Sequence, residues 1–204
     1  MAPRSRSRSE QLRVEGRQKL LAAARSLFAS HGYFACKVGD IARQAGMSQG
    51  NVYWYFGSKE EILQAILAEG FGAIEVMTAQ AADEPGPARA RLDMLIGRTI
   101  DLYRQHADFT RILGTLMGQG GQELIRSLGF DMTEIGGSYH ANLARLFGQA
   151  RREGVLAELE PALYVVFYFS LFNGLLITYG DLWPQLDSGV LRQVVLRMLG
   201  AQPA

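Results

Sequence analysis

Hydrophobic positions recur at three- and four-residue spacing along most of the chain, which is the pattern of helices that pack on one face. The first such stripe lies between residues 10 and 30, and Gly32 just beyond it suits a helix C-terminus. The stripe consists of Leu20, Leu21, Ala24, Leu27 and Phe28. It predicts one amphipathic helix over this segment.

A denser pattern follows at residues 38–56. A helix of about two turns has Ile41 and Ala45 on its inner face and ends at Gly46. Ser48 is suited to cap a second short helix, because its hydroxyl can accept a hydrogen bond from an amide of the first turn. Two short helices joined by a three-residue turn that contains glycine predict a helix-turn-helix.

The rest of the chain also shows helical periodicity. Ser58–Glu61 has the form of a capping box that begins a long amphipathic helix, and residues 83–87 form a linker rich in proline and glycine. Glycine pairs at 120–121 and 136–137 are predicted to break or kink the later helices. Because no stretch alternates with period two, the sequence predicts an all-α protein. The later helices are predicted at 88–106, 108–118, 122–154, 161–180 and 188–200.

Residues 162–180 carry no charge and are long enough to cross a membrane. Ser170, Asn173 and Thr178 interrupt the apolar run, and no basic flank follows it. A helix that is apolar on every side is also what a helix buried between neighbours looks like. We therefore expect a buried helix and no membrane partner.

The charge is unevenly distributed along the 204 residues. Residues 1–60 contain ten Lys and Arg against four Asp and Glu, a net charge of +6, whereas residues 61–204 contain eleven against sixteen, a net charge of −5. A basic first part indicates a polyanionic partner. Residues 3–9 alternate Arg and Ser without apolar side chains and are predicted to be a disordered basic arm. No apolar segment of a signal peptide follows, so a cytoplasmic location is expected.

The second short helix is predicted to present an unusual outer face. On a helical wheel, Val52 and Phe56 fall together on the inner side, while Gly50 and Trp54 point the opposite way and Asn51 lies on the flank. Glycine permits close backbone approach to DNA, asparagine can pair with a base edge, and aromatic rings can touch thymine methyl groups. This face therefore predicts entry into the major groove.

The run DIARQAGMSQGNVYWYFGSKEEIL at residues 40–63 resembles the signature of TetR-family transcriptional regulators. The turn, the second helix, the aromatic cluster and the capping box all occur in register. The chain departs from the family pattern at Val38, where many relatives carry a threonine that binds phosphate, and at Met47 and Asn51. The change at Val38 concerns a phosphate contact, and the change at Asn51 concerns the operator sequence.

The resemblance implies a homodimeric regulator, usually a repressor, with two recognition helices in successive major grooves of a near-palindromic operator in duplex DNA. It also implies a helical body that receives a small molecule. The chain then divides into the arm (1–9), a helix-turn-helix DNA-binding domain (10–57), a connecting helix (58–82) and an effector-binding and dimerisation domain (83–204). The predicted DNA-contacting residues are Lys37, Val38, Gly39, Ser48, Gln49, Gly50, Asn51, Tyr53, Trp54, Tyr55 and Lys59.

Apolar residues of the second half provide candidates for an effector site and for a dimer interface. A small hydrophobic effector, either an acyl chain or thioester or an aromatic drug or metabolite, is expected at Met94, Leu95, Leu102, Phe109, Leu113, Leu116, Met117, Tyr139, Leu143, Phe147, Phe167, Tyr168 and Asn173. The last two helices are expected to form a four-helix bundle with those of a second copy. The predicted interface residues are Phe172, Leu176, Val190, Leu191, Val194, Val195 and Met198.

Other classes of function have less support in the sequence. The three histidines are scattered, and no nucleophile or phosphate-binding motif is present, so we expect neither an enzyme nor a cofactor or metal. An RNA-binding or chaperone-like protein would depend on the Arg-Ser segment alone. Two alternatives remain within the regulators: constitutive DNA binding without a ligand, and a redox response through Cys36, next to Lys37.

Overall fold

The computed structural model describes residues 3–117, 120–179 and 185–201, and over these residues the protein is helical without strands. This confirms the all-α prediction. The helices are α1 (Pro3–His31), α2 (Val38–Ala45), α3 (Gln49–Tyr55), α4 (Lys59–Asp83), α5 (Ala88–Gln105), α6 (Ala107–Leu116), α7 (Gly121–Ser127), α8 (Met132–Arg152), α9 (Pro161–Tyr179) and α10 (Ser188–Met198).

Helix α1 is longer than the apolar stripe predicted. It begins at Pro3, so the segment expected to be a disordered arm is helical from that residue onward. Proline is compatible with the first helical turn, where its missing N–H would have no partner, and arginine has a high helix propensity. The lack of apolar residues indicated disorder, but residues 4–9 also contain no glycine or proline that would break a helix.

The later helix boundaries differ from the prediction at one place. The pattern from 122 to 154 is divided into α7 and α8, and the break lies at Gly129, whose φ of +84° ends α7 in the left-handed region. Helix α8 runs without a break through Gly136 and Gly137, so the pair does not end a helix. Glycine tolerates a helix interior as long as its backbone hydrogen bonds are kept.

The chain forms two compact units. Unit 1 comprises Met1–Glu69 and Arg111–Gly129, and unit 2 comprises Gly70–Thr110 and Phe130–Ala204. The boundary at Glu69 falls within α4, so α4 contributes residues to both units. The predicted division into a connecting helix of 58–82 and a body from 83 therefore differs from the division found by compactness.

The core of unit 1 is made by α1, α2 and the first half of α4. Its fully buried side chains include Leu20, Leu21, Phe28, Ile41, Ile62, Leu63, Ile66 and Leu67. Helix α4 is long and apolar enough to cross a membrane by length and composition alone. The burial of its first apolar residues in unit 1 accounts for that composition. This core holds α2 and α3 in a fixed position.

The core of unit 2 is formed by α5, α8, α9 and α10. It contains Leu92, Leu95, Ile96, Leu143, Phe147, Tyr164, Tyr168, Phe172 and Val195, among others. The buried Arg91 donates from Nε to the Ala81 carbonyl at 3.2 Å and from Nη2 to the Ala82 carbonyl at 3.1 Å. These bonds satisfy carbonyls at the end of α4, where helical partners run out, and so join α4 to α5.

Candidate DNA-binding surface

Local sequence signals position α3. Gly46 adopts φ +64° after α2 and its N–H donates to the Arg43 carbonyl, which ends that helix and turns the chain. Ser48 Oγ then accepts from the Asn51 amide at 3.1 Å and caps α3. Because the turn is short and both caps are formed, α3 leaves α2 at a fixed angle.

The two sides of α3 have opposite environments. Val52 is buried at 1% exposure, whereas Tyr53 is 54% exposed and Trp54 is 63% exposed. Gly50 and Asn51 are also exposed. The predicted orientation of the helix is therefore the one observed, and its outer surface offers a bare backbone, an amide side chain and two aromatic rings.

The first turns of α2 and α3 approach each other closely. A Cβ atom added at Gly39 would lie 2.6 Å from Nε2 of Gln49, so the Gln49 side chain packs over the bare backbone at Gly39 and would have to move if a side chain were added there. Val38 and Gly39 are half-buried, and Lys37 is exposed at the start of α2. Of the predicted contact residues, Lys37 and Ser48 thus lie at the first turn of their helices, where backbone amides are available to an anion.

Lys59 has a different environment from the one expected. Its ammonium group donates to the Tyr33 carbonyl at 3.0 Å and the Cys36 carbonyl at 2.9 Å, and it lies 4.1 Å from the centroid of the Tyr33 ring. An ammonium has three N–H groups, so one is left for another acceptor. Lys59 therefore fixes the turn between α1 and α2, and its predicted phosphate contact stays a prediction.

Tyr33 and Glu60 add a second bond at this turn. The Tyr33 hydroxyl donates to Glu60 Oε1 at 2.8 Å. Burial and the bond to Glu60 raise the pKa of the Tyr33 phenol, while the backbone N–H of Glu60 and the Tyr33 hydroxyl lower the pKa of the Glu60 carboxyl. The phenol thus remains a donor and the carboxylate an acceptor through the neutral pH range.

Cys36 is buried, and its thiol donates to the Leu27 carbonyl at 3.4 Å. Burial raises the pKa of this thiol, and the opposing effect of Lys59 is smaller. A raised pKa lowers the thiolate fraction and hence reactivity. The alternative of a redox response through Cys36 next to Lys37 therefore gains no support from this geometry.

Residues of α1 that the sequence analysis did not single out pack against the aromatic end of α3. The Arg13 guanidinium lies 5.3 Å from the Trp54 ring centroid, and the Arg17 guanidinium lies 5.1 Å from that of Phe56. Gly16 lies between them in sequence and contacts the Tyr55 side chain. Their spacing of three and four residues, one face of a helix, is the signal that could have identified them.

The predicted effector residues fall into three environments. Leu95, Phe109, Leu116, Leu143, Phe147 and Tyr168 are buried; Met94, Leu102, Leu113 and Tyr139 are half-buried; Met117, Phe167 and Asn173 are exposed. Phe167 is 55% exposed because it shares the outward side of α9 with Leu163 and Val166. Phe167 therefore lies on the surface of the protomer, and its assignment to the effector site stays a prediction.

Hydroxyl groups form two polar pairs inside the apolar unit 2. Thr99 and Tyr168 share a hydrogen bond between their hydroxyls, and the Tyr103 hydroxyl donates to Oδ1 of Asn173 at 3.0 Å. Burial raises the pKa of both tyrosines, so both phenols are neutral. These pairs connect α5 to α9.

The predicted interface residues separate into an inner and an outer row. Phe172, Leu191 and Val195 are buried in the core of their own protomer, so their assignment to the interface is corrected. Val190, Val194 and Met198 are exposed at 61%, 43% and 65%. Two adjacent apolar rows on one helix do not reveal which row faces its own core. The Leu176 side chain lies outside the described residues.

Comparisons with known proteins agree with this geometry. Residues 20–66 match the family model of bacterial regulatory proteins, tetR family. The chain is 44% identical over 54 residues to the HTH-type transcriptional regulator SrpR of Pseudomonas putida, a stretch covering 26% of this chain and 25% of SrpR. It is 31% identical over 84 residues to the fatty acid metabolism regulator protein of Bacillus subtilis (strain 168), covering 41% and 43%.

The fold extends the likeness to most of the chain. The structure of the transcriptional regulator FadR from Bacillus subtilis in complex with stearoyl-CoA matches with a TM-score of 0.69 at 23% identity, over 89% of this chain and 96% of that chain. At this identity the match shows the fold. The matched stretches cover less than half the length of the two curated relatives, so the sequence likeness concerns the N-terminal part.

The turn between α2 and α3 is capped at both helix ends. Helix α3 has a buried inner side and an exposed polar and aromatic outer side. This combination is typical of helix-turn-helix DNA-binding proteins. By its matched segment the chain is similar to bacterial regulatory proteins of the tetR family, and it shares the fold of the FadR structure.

Proposed function

We propose that the protein is a homodimeric transcriptional regulator, in most settings a repressor, that binds a near-palindromic operator in the cytoplasm. The observation that carries this proposal is the outer side of α3, where Gly50, Asn51, Tyr53 and Trp54 are all exposed. A solvated helix surface has no need of two exposed aromatic rings beside a glycine. A surface that enters the major groove uses each of them.

The outer sides of α9 and α10 support dimerisation. Leu163, Val166 and Phe167 on α9 are each about half exposed, as are the outer-row residues of α10. A monomer rarely leaves so many large apolar side chains in water, and the same patch on a second copy would cover them by two-fold symmetry. Sedimentation velocity of the purified chain at micromolar concentration is expected to give a dimer. A monomer would contradict the proposal.

A small hydrophobic molecule bound by unit 2 is proposed as the signal. Two of the proteins named above are a fatty acid metabolism regulator and a FadR structure that holds stearoyl-CoA. These two names favour fatty acyl thioesters over aromatic drugs as the first class to test. Binding releases the operator only if the ligand favours a conformation with lower DNA affinity.

The effector proposal is tested with acyl-CoA esters of graded chain length, with free coenzyme A and free fatty acids as controls. Melting temperature and operator affinity are measured for each compound. A chain-length optimum that raises the melting temperature and weakens operator binding would support the proposal. If no ester changes either quantity while operator binding is intact, the acyl thioester class is rejected; if a broad panel of apolar compounds also has no effect, the protein is a constitutive regulator.

A redox-responsive regulator is less favoured. It would need Cys36 as the reactive group, and this thiol is buried with a raised pKa.

A further inference from the structure

The N-terminal half of α1 contacts the aromatic end of α3 through Arg13, Gly16 and Arg17, and both helices belong to unit 1. Arg13 lies over the ring of Trp54, which is itself 63% exposed. The guanidinium and the indole therefore form one continuous exposed surface with the outer side of α3. This places a cation directly beside the side chains proposed to enter the groove.

Gly16 fixes how close the two helices come. A methyl group at this position would overlap the Tyr55 hydroxyl and lie 2.8 Å from its Cζ. The ring of Tyr55 in turn contacts that of Trp54 edge to face, with centroids 4.7 Å apart. Any side chain larger than glycine would push the aromatic edge away, so the register of α1 against α3 is set by packing.

Among the residues that the structure describes, the positive charge on this half of α1 is only partly balanced by carboxylates. Residues 4–17 contain five arginines against Glu10 and Glu15. Arg17 is paired with Glu69, its Nη1 lying 3.5 Å from Oε1, but among the residues that the structure describes Arg8 and Arg13 have no carboxylate partner. The first turn of α1 also contains no acidic residue, so the arginines add to the positive end of the helix dipole.

We propose that the N-terminal half of α1 is a second DNA-contacting element, in which Arg8 and Arg13 bind backbone phosphates beside the groove that α3 enters. Duplex DNA supplies the dense negative charge that this surface lacks. Trp54 holds the Arg13 side chain by a cation–π contact, which lowers the entropy lost when the guanidinium binds a phosphate. This inference rests on the proposed function of α3.

The test measures operator affinity of the full chain by fluorescence anisotropy over a range of salt concentrations. Arg8→Ala and Arg13→Ala are compared with Arg152→Ala, which removes the same charge from an exposed position at the end of α8 in unit 2. Each lost phosphate contact lowers the slope of log affinity against log salt by about 0.9 per chain, hence by about 1.8 for a dimer. Operator and random duplex should be affected alike, and Arg152→Ala should leave the slope unchanged.

The salt slope separates phosphate binding from a packing role for Arg13. If Arg13 only supports Trp54, its replacement lowers operator affinity but leaves the slope at the wild-type value, and this result would overturn the proposal. An unchanged slope in Arg8→Ala would overturn it equally for that residue. If the wild-type chain binds no duplex DNA, the proposed function fails and not this inference alone.

Discussion

The surface of α3 and the outer sides of α9 and α10 are both exposed and rich in large side chains, yet their chemistry differs. Around α3, aromatic rings are combined with Asn51, a bare backbone at Gly50 and the Arg13 cation. On α9 and α10 the exposed residues are aliphatic or phenyl groups such as Leu163, Val166 and Met198. The first combination suits a polyanion with hydrogen-bonding edges, and the second suits another apolar surface. Exposure alone therefore does not identify the partner of a surface patch. The chemistry of its side chains has to be considered as well.

The largest expected effect comes from charging the α10 surface. The double variant Val194→Glu with Met198→Glu would bury two carboxylates of each protomer in the proposed interface. The dimer should therefore dissociate. Operator affinity should then fall by roughly 10²- to 10⁴-fold, because two linked recognition helices bind more tightly than one. Sedimentation and anisotropy check both effects. Val76→Glu, which changes an exposed apolar residue of α4 in unit 2, should remain dimeric; equal dissociation of both variants would reject the interface.

A matched pair of aromatic substitutions sharpens the contrast between core and surface. Phe147→Ala removes a fully buried ring from unit 2 and should lower the free energy of unfolding by about 3–5 kcal/mol. Trp54→Ala removes an exposed ring and should change it by about 0.5 kcal/mol or less, while weakening operator binding. Denaturant unfolding and anisotropy measure the two quantities. If Trp54→Ala lowered the free energy of unfolding more than Phe147→Ala, Trp54 would be a structural residue.

Lys59→Ala tests the clamp at the α1–α2 turn. The Tyr33 and Cys36 carbonyls lose a charged donor, so stability should fall by about 1.5–3 kcal/mol. Lys37→Ala, which removes a lysine from an exposed position in the same domain, should leave stability nearly unchanged. Chemical denaturation compares them. If both variants unfold like the wild type, Lys59 acts at the DNA alone.

The smallest effect is expected at Cys36. Since burial raises the pKa of its thiol, the native protein should react with a thiol reagent more slowly than the unfolded chain at pH 7–8, where a thiol of ordinary pKa is partly ionised. Peroxide should leave operator affinity unchanged in both the wild type and Cys36→Ala. Loss of binding in the wild type alone would restore the redox alternative.

Much of the fold could be predicted because its signals are local. Gly46, Ser48 and the segment at Ser58 lie within a few residues of the helix ends that they determine, and the structure has those ends where expected. The break at Gly129 was missed because a glycine pair at 136–137 gave a stronger signal. Composition could not decide between them, since both glycine positions are compatible with either conformation.

The site was predicted less completely, because its missing parts depend on contacts between distant residues. Arg13 meets Trp54 and Lys59 meets the carbonyl of Tyr33 only when α1 and α4 pack around α2 and α3. The spacing of Arg13, Gly16 and Arg17 places them on one face of α1, but it does not specify which residues that face contacts. Likewise, the choice between the Val190 and Leu191 rows of α10 depends on which row packs against α5, α8 and α9.

The central claim is that α3 reads DNA sequence, and Asn51 tests it most directly. Wild-type protein and Asn51→Ala are each used to select binding sites from a pool of random duplexes, and the enriched sequences are compared. The wild type should select one near-palindromic site, and Asn51→Ala should select the same site with relaxed preference at symmetric positions, a loss of about 1–3 kcal/mol of discrimination at each. Enrichment of no site by the wild type, or identical preferences for the two proteins, would contradict the account.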